Sequence, residues 1–138
     1  MSTSTTEIHV GDVMLPIDEL PIVSPRTLLK EAIEAMTERG LGVACIVGDG
    51  GRLVGIFTDG DMRRMLLRFQ KPLAALFADD VIAHAVLRPV TTRADASLRE
   101  AVETMEERGV WDLPVVDEKG VLTGLLHLHP AVRALLGA

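Results

Sequence analysis

The residues best suited to chemistry stand in one run, Gly55-Ile56-Phe57-Thr58-Asp59-Gly60-Asp61-Met62-Arg63-Arg64. It sets a hydroxyl, two carboxylates and two guanidinium groups around a glycine. Strand formers precede the polar part (Leu53, Val54, Ile56, Phe57). Met62, Met65, Leu66 and Phe69 follow at i, i+3, i+4 and i+7, the spacing of a helix face. The pattern predicts a strand, a tight turn eased by Gly60, and a helix over Asp61–Phe69 whose N-cap lies at or beside Asp61. Free N–H groups and the positive dipole end at such a corner can hold a phosphate. Thr58 and Asp61 could then take sugar hydroxyls, or they could simply cap the helix.

Other reactive types are sparser. His127 and His129 stand two apart, on one face if that stretch is a strand, with His84 as a possible neighbour. A metal there would need a third ligand and supporting hydrogen bonds, so polar residues at a cleft mouth are the simpler reading. Cys45, the single cysteine, sits in the apolar run Val43–Val47 and reads as a buried thiol. One cysteine forms no internal disulfide. Nucleophile, base and oxyanion donors do not come together anywhere, so no catalytic residue is assigned and the chain is not read as an enzyme.

The composition supports a packed core with few aromatics: 48% hydrophobic against 25% charged, and 3% aromatic with no Tyr. Net charge is −6, with no block of consecutive basic residues beyond Arg63-Arg64. Nucleic acid and anionic membrane are therefore disfavoured as partners. No apolar run reaches the length of a membrane span. Residues 1–9 lack the features of a signal peptide and read as a disordered leader; the expected location is cytoplasmic.

The elements that must position the turn recur. Residues Leu20–Leu67 align without a gap to the chain 69 positions later, with roughly a third of positions identical. Glu31, Ala32, Glu34, Met36, Gly40, Gly51, Gly55 and Arg64 are among those that meet their own kind. Each copy reads as a short strand (Ile22-Val23; near Thr91), a helix, a buried strand, a Gly-containing turn, a return strand and a second helix. Thr27 is the expected cap of the first helix and Gly40 its terminator. Ser97 and Glu100 form a capping box for the matching helix, which Gly109 ends. Pro130 is expected at N1 of the last helix. The expected divisions are 10–75 and 76–138. A three-stranded sheet needs a partner to pack on, and the other copy supplies one, leaving clefts for small ligands. Arg64 recurs as Arg133 and reads as a structural ion pair. Arg63 faces Val132 in the repeat and is the better ligand candidate. Asp59 is expected to face solvent.

This tandem arrangement resembles a pair of CBS domains (cystathionine β-synthase domains), which sense adenosyl and other nucleotides. The carrying motifs are Gly11-Asp12-Val13-Met14, Leu113-Pro114-Val115-Val116-Asp117 and the run from Gly55 to Asp61. The resemblance implies an α+β fold of two β-α-β-β-α repeats packed through their sheets with pseudo-two-fold symmetry. It also implies phosphate contact at Thr58 and ribose contact at Asp61. The expected ligand-binding set is Thr58, Asp61 and Arg63, with Val23, Ser24, Leu113, Pro114, His127 and His129. In the second copy His127 replaces Thr58 and Pro130 replaces Asp61, so one competent nucleotide site is expected per pair.

Asp18-Glu19-Leu20-Pro21, Gly40-Leu41-Gly42 and the run from Gly55 to Arg64 further resemble the C-terminal CBS pair of bacterial D-arabinose 5-phosphate isomerases of the Kdo (lipopolysaccharide sugar) pathway. In those enzymes a sugar isomerase domain precedes the pair, so this chain would be an excised fragment or a free-standing relative. The resemblance implies regulation by a CMP- or AMP-type nucleotide, with CMP-Kdo as a feedback ligand, and a homodimer of CBS pairs. It implies no cofactor and no metal. An adenosyl sensor acting on another partner, or a ligand-free dimerisation module, are the alternatives.

Overall fold

The computed structural model describes residues 7–137, which divide into two compact units: Glu19–Pro89, and Val90 onward together with the chain up to Asp18. The secondary structure is α+β, with two sheets and five α-helices among the described residues. Of the leader expected at 1–9, residues 1–6 lie outside the described residues. Residues 7–9 are not a disordered leader: Ile8 packs on the core, its carbonyl accepts from Leu98 N (2.8 Å), and His9 bridges to Ser97.

The first unit carries β2 (Ile22–Val23), α1 (Leu29–Arg39), β3 (Val43–Val47), β4 (Leu53–Thr58), α2 (Asp59–Arg68), α3 (Leu73–Phe77) and β5 (Val86–Leu87). Its sheet runs β2-β3-β4-β5, with β2 parallel to β3 and the other pairs antiparallel. Alternation along β3 sends Ala44 and Ile46 to the helices, where they meet Leu29, Ala32 and Met36 of α1, Met65 of α2, and Phe57. Val43 and Cys45 on the other face are fully buried too. The β3–β4 turn uses Gly50 and Gly51 at φ 70° and 80°, where a side chain would be strained.

Thr27 is not the cap of α1. Leu28 holds the N-cap position and its N–H donates to Glu31 Oε1 (3.2 Å), while Thr27 Oγ1 accepts from Ser24 N (3.0 Å). Ser97, by contrast, caps α4 (Leu98–Arg108) by accepting from Glu100 N at 3.4 Å. Each copy thus keeps a different half of the capping box.

Asp79 fastens the segment after α3. Its carbonyl accepts from Leu29 N (2.8 Å), and its carboxylate accepts from His84 Nε2 (2.8 Å), with Lys71 Nζ 3.2 Å away. The His84 bond, then Lys71, holds the Asp79 carboxyl below its ordinary range. A depressed carboxylate stabilises above its unfolded pKa, and that stability is lost as pH falls through the folded value. The Tm difference between wild type and Asp79→Asn should therefore be full at neutral pH and shrink below about pH 4. A difference independent of pH would dismiss the pairing as a stabilising contact.

The second unit carries β1 (Leu15–Pro16), α4, β6 (Asp112–Val116), β7 (Leu122–His127) and α5 (Leu128–Gly137), with sheet order β1-β7-β6. Leu98, Ala101 and Met105 of α4 pack with Leu113, Val115, Leu126, Ala131 and Val10. Two features depart from the expected repeat. The counterpart of β2 is reduced to one parallel bridge, Thr92 to Val115, in the register of Val23 to Ile46. The edge strands β1 and β5 are also exchanged relative to the sequence repeats. Residues 15–16 pair with β7 of the second copy, and residues 86–87 pair with β4 of the first. Pro130 stands third in α5 rather than first, still inside the turn whose N–H groups need no intrahelical partner.

Candidate functional site

The turn is built by β4 running into α2. Thr58 is the N-cap, extended at φ −118° and ψ 166°, and its Oγ1 accepts from Asp61 N (3.1 Å). Asp61 lies third in the helix, not at the N-cap. Its Oδ2 accepts from Thr58 N and Thr58 Oγ1, both at 2.9 Å. Arg64 Nη2 donates to Asp61 Oδ1 at 2.7 Å, the structural ion pair expected of it. Asp61 is only 7% exposed, and its negative charge sits at the positive end of α2.

The turn is therefore a satisfied capping box before any ligand arrives. A carboxylate has about four acceptor positions; three are taken here, and the fourth, on Oδ1, is open to a hydroxyl. Asp59 N donates to Gly42 O (3.0 Å), so the Gly60 N–H is the open donor of the first turn among the described residues. A Cβ on Gly60 would stand 3.2 Å from the Arg64 guanidinium, the end of a flexible, exposed side chain that can give way. Asp59 is exposed, and Arg63 is exposed one residue from the ion-paired Arg64.

The remaining candidates of the first unit are not drawn to this turn. Val23 registers with Ile46 and Thr58 with Val43, so they lie three residues apart along β3, about 10 Å. Val23 packs against the core, and Ser24 is exposed and bonded to Thr27.

In the second unit the corner has a different chemistry. His127 occupies the place of Thr58, and its Nδ1 donates to Asp112 Oδ1 at 2.7 Å, across the β6–β7 pair. Asp112 stands where the first copy has Val43, so a cross-strand bond appears where the capping box is missing. The His127 and His129 rings are 5.4 Å apart, and His129 meets Trp111 edge-on at 5.7 Å. Leu113 is fully buried, and its side chain packs in the helix-facing core. Pro114 beside it is buried. His84 is bonded to Asp79 and meets Phe69 edge-on at 5.2 Å. Among the described residues no three His, Cys, Asp or Glu side chains converge as a metal site.

Two groups escaped the sequence reading. Asp112 could have been found, because an acid replaces an aliphatic at one repeat position. The Asp79, His84 and Lys71 cluster could not, because it lies between the copies where no repeat exposes it.

No helix among the described residues is long and apolar enough to cross a membrane. The chain is 35% identical to the arabinose 5-phosphate isomerase KdsD of Pseudomonas aeruginosa over 92% of its own length and 38% of that protein. It spans little more than a third of the curated relatives it matches first. Among solved structures, CBSX2 in complex with AMP is 30% identical with a TM-score of 0.81, over 94% of this chain and 96% of that one. A CBS domain-containing protein of Bacillus anthracis, 16% identical, has a TM-score of 0.85 over 97% of both chains and shares the fold. The CBS domain family matches residues 10–68 and again 78–136, and the chain belongs to it as a tandem CBS pair.

Proposed function

We propose that this CBS pair is the nucleotide-binding regulatory part of an arabinose 5-phosphate isomerase of the Kdo pathway, acting in the cytoplasm as a homodimer. The observation that carries the reading is the Thr58–Asp61 turn, which combines an open Oδ1 position and an open Gly60 N–H at the positive end of a ten-residue helix. The second copy has Pro130 at the matching place, without a side-chain acceptor or an N–H, so one site per pair is proposed. Arg63, exposed beside the turn, is proposed to contribute at its periphery. CMP-Kdo fits as the feedback ligand because it brings both a phosphate and a ribose. Regulation would follow from unequal affinity for two states of the pair. Likeness to the KdsD isomerase supports the parent enzyme. The AMP complex of CBSX2 supports a second reading, a sensor of adenosyl nucleotides.

A thermal-shift screen against AMP, ADP, ATP, S-adenosylmethionine, CMP and CMP-Kdo separates the readings. A ligand that binds only the folded state adds about 2.7 kcal/mol at a hundred times its Kd. Stabilisation by cytidine compounds alone is expected. Stabilisation by adenosyl compounds would replace CMP-Kdo, and silence throughout would leave a dimerisation module without a ligand.

A further inference from the structure

The corner between β7 and α5 differs from its counterpart in the first unit at four places. At the repeat offset of 69, Trp111, Asp112, His127 and His129 stand where the first copy has Gly42, Val43, Thr58 and Gly60. Asp112 and His127 are partners in the β6–β7 register, and His129 lies in the first turn of α5. The fold draws the four side chains into one run of contacts. Asp112 Oδ1 accepts from His127 Nδ1 at 2.7 Å, the His127 and His129 ring centres are 5.4 Å apart, and Trp111 stands 5.7 Å from His129. The first unit builds the matching strand-to-helix corner with no imidazole at these places, so the fold does not require the set.

The bond to Asp112 decides what His127 can do. With the Nδ1 proton given to the carboxylate, the neutral ring keeps a bare lone pair on Nε2. A metal-ligating histidine is held in the same way, its other nitrogen donating to a carboxylate. The second ring is at the right spacing. With metal–nitrogen bonds of about 2.0–2.1 Å, two imidazoles on one tetrahedral ion have ring centres about 5.2 Å apart. The His127 side chain is 24% exposed and His129 is exposed, so an ion can reach both from solvent.

We propose that His127 and His129 bind one divalent transition-metal ion, with Asp112 as the residue that positions His127. Imidazole ligands suit Zn²⁺, Ni²⁺ and Cu²⁺ rather than Mg²⁺ or Ca²⁺. No third His, Cys, Asp or Glu joins them among the described residues, so water completes the coordination and the ion exchanges with solvent. The site stands apart from the nucleotide reading, because none of its residues belongs to the Thr58–Asp61 turn.

The test is titration of the tag-free chain with Cu²⁺ and Zn²⁺. Trp111 is the sole tryptophan and touches His129, so bound Cu²⁺ should quench its emission and saturate at one ion per chain. Asp112→Asn should weaken binding by about tenfold to a hundredfold, and His129→Gln, at an exposed position, by at least as much. Electron paramagnetic resonance of bound Cu²⁺ should count two imidazole nitrogens in the wild type and in Asp112→Asn, but one in His129→Gln. That count separates a positioning residue from a ligand. Zn²⁺ should raise the Tm of the wild type and not of His129→Gln. Absence of quenching, or equal affinity in His129→Gln, would overturn the site. Equal affinity in Asp112→Asn would overturn the role of Asp112.

Discussion

Asp61→Ala should lower stability by about 2–3 kcal/mol and nucleotide affinity by about tenfold to a hundredfold. The stability loss follows from the contacts the carboxylate makes while nearly buried. It accepts from Thr58 N and Thr58 Oγ1 at 2.9 Å, and hydrogen bonds to a charged group contribute about 1.5–3 kcal/mol. The Arg64 contact adds little, because its guanidinium is mostly in water. Asp61→Asn keeps an acceptor for Thr58 and should cost less. The affinity loss follows from removing the charged acceptor proposed for the ribose, and calorimetric titration reads it. Arg64→Ala is the control: it frees Oδ1, so binding should hold or tighten. An unchanged Kd in a folded Asp61→Ala protein would remove Asp61 from the site.

Gly124→Val should cost about 2–3 kcal/mol, in the range of overpacking a closed site. A Cβ on Gly124 would stand 2.7 Å from the carbonyl oxygen of Leu15 and 2.7 Å from Met14 Sδ. The thioether can swing away. The carbonyl cannot, because it belongs to the two-residue strand that pairs Leu15 with Leu125. The expected outcome is a detached β1, seen as hydrogen exchange rising in residues 10–16 before the rest of the unit. Gly137→Ala, with nothing within 4 Å of its Cβ, should be neutral. Uniform loss of protection would mean that β1 is not a separable edge.

What could be read from the sequence was what repeats or has a period. Val43–Val47 is a buried strand as its apolar run implies, and Gly40 and Gly109 end their helices at positive φ, 68° and 66°. The ion pair of Arg64 followed from its recurrence where Thr58 and Asp61 are replaced. The edge strands Leu15-Pro16 and Val86-Leu87 escaped, because both lie outside the aligned repeat and are too short to show alternation. The capping position moved from Asp61 to Thr58 because hydroxyl and carboxylate are both good caps. Only the strand's own length decides which comes first. Leu113 shows that a signature residue can also be a core residue.

The exchange of edge strands bears on how the chain is made. Glu19–Pro89 is contiguous, so its sheet can be completed as soon as that stretch leaves the ribosome. The other unit joins residues near 10–16 to partners at 94–125, contacts that a growing chain cannot make until most of it exists. The opening segment must wait, unpaired, while the middle of the protein folds. A cut between residues 75 and 76 would take β5 from the sheet of the first copy and leave β1 on the other side from its partner β7, so the repeats of the sequence and the compact units do not share a boundary.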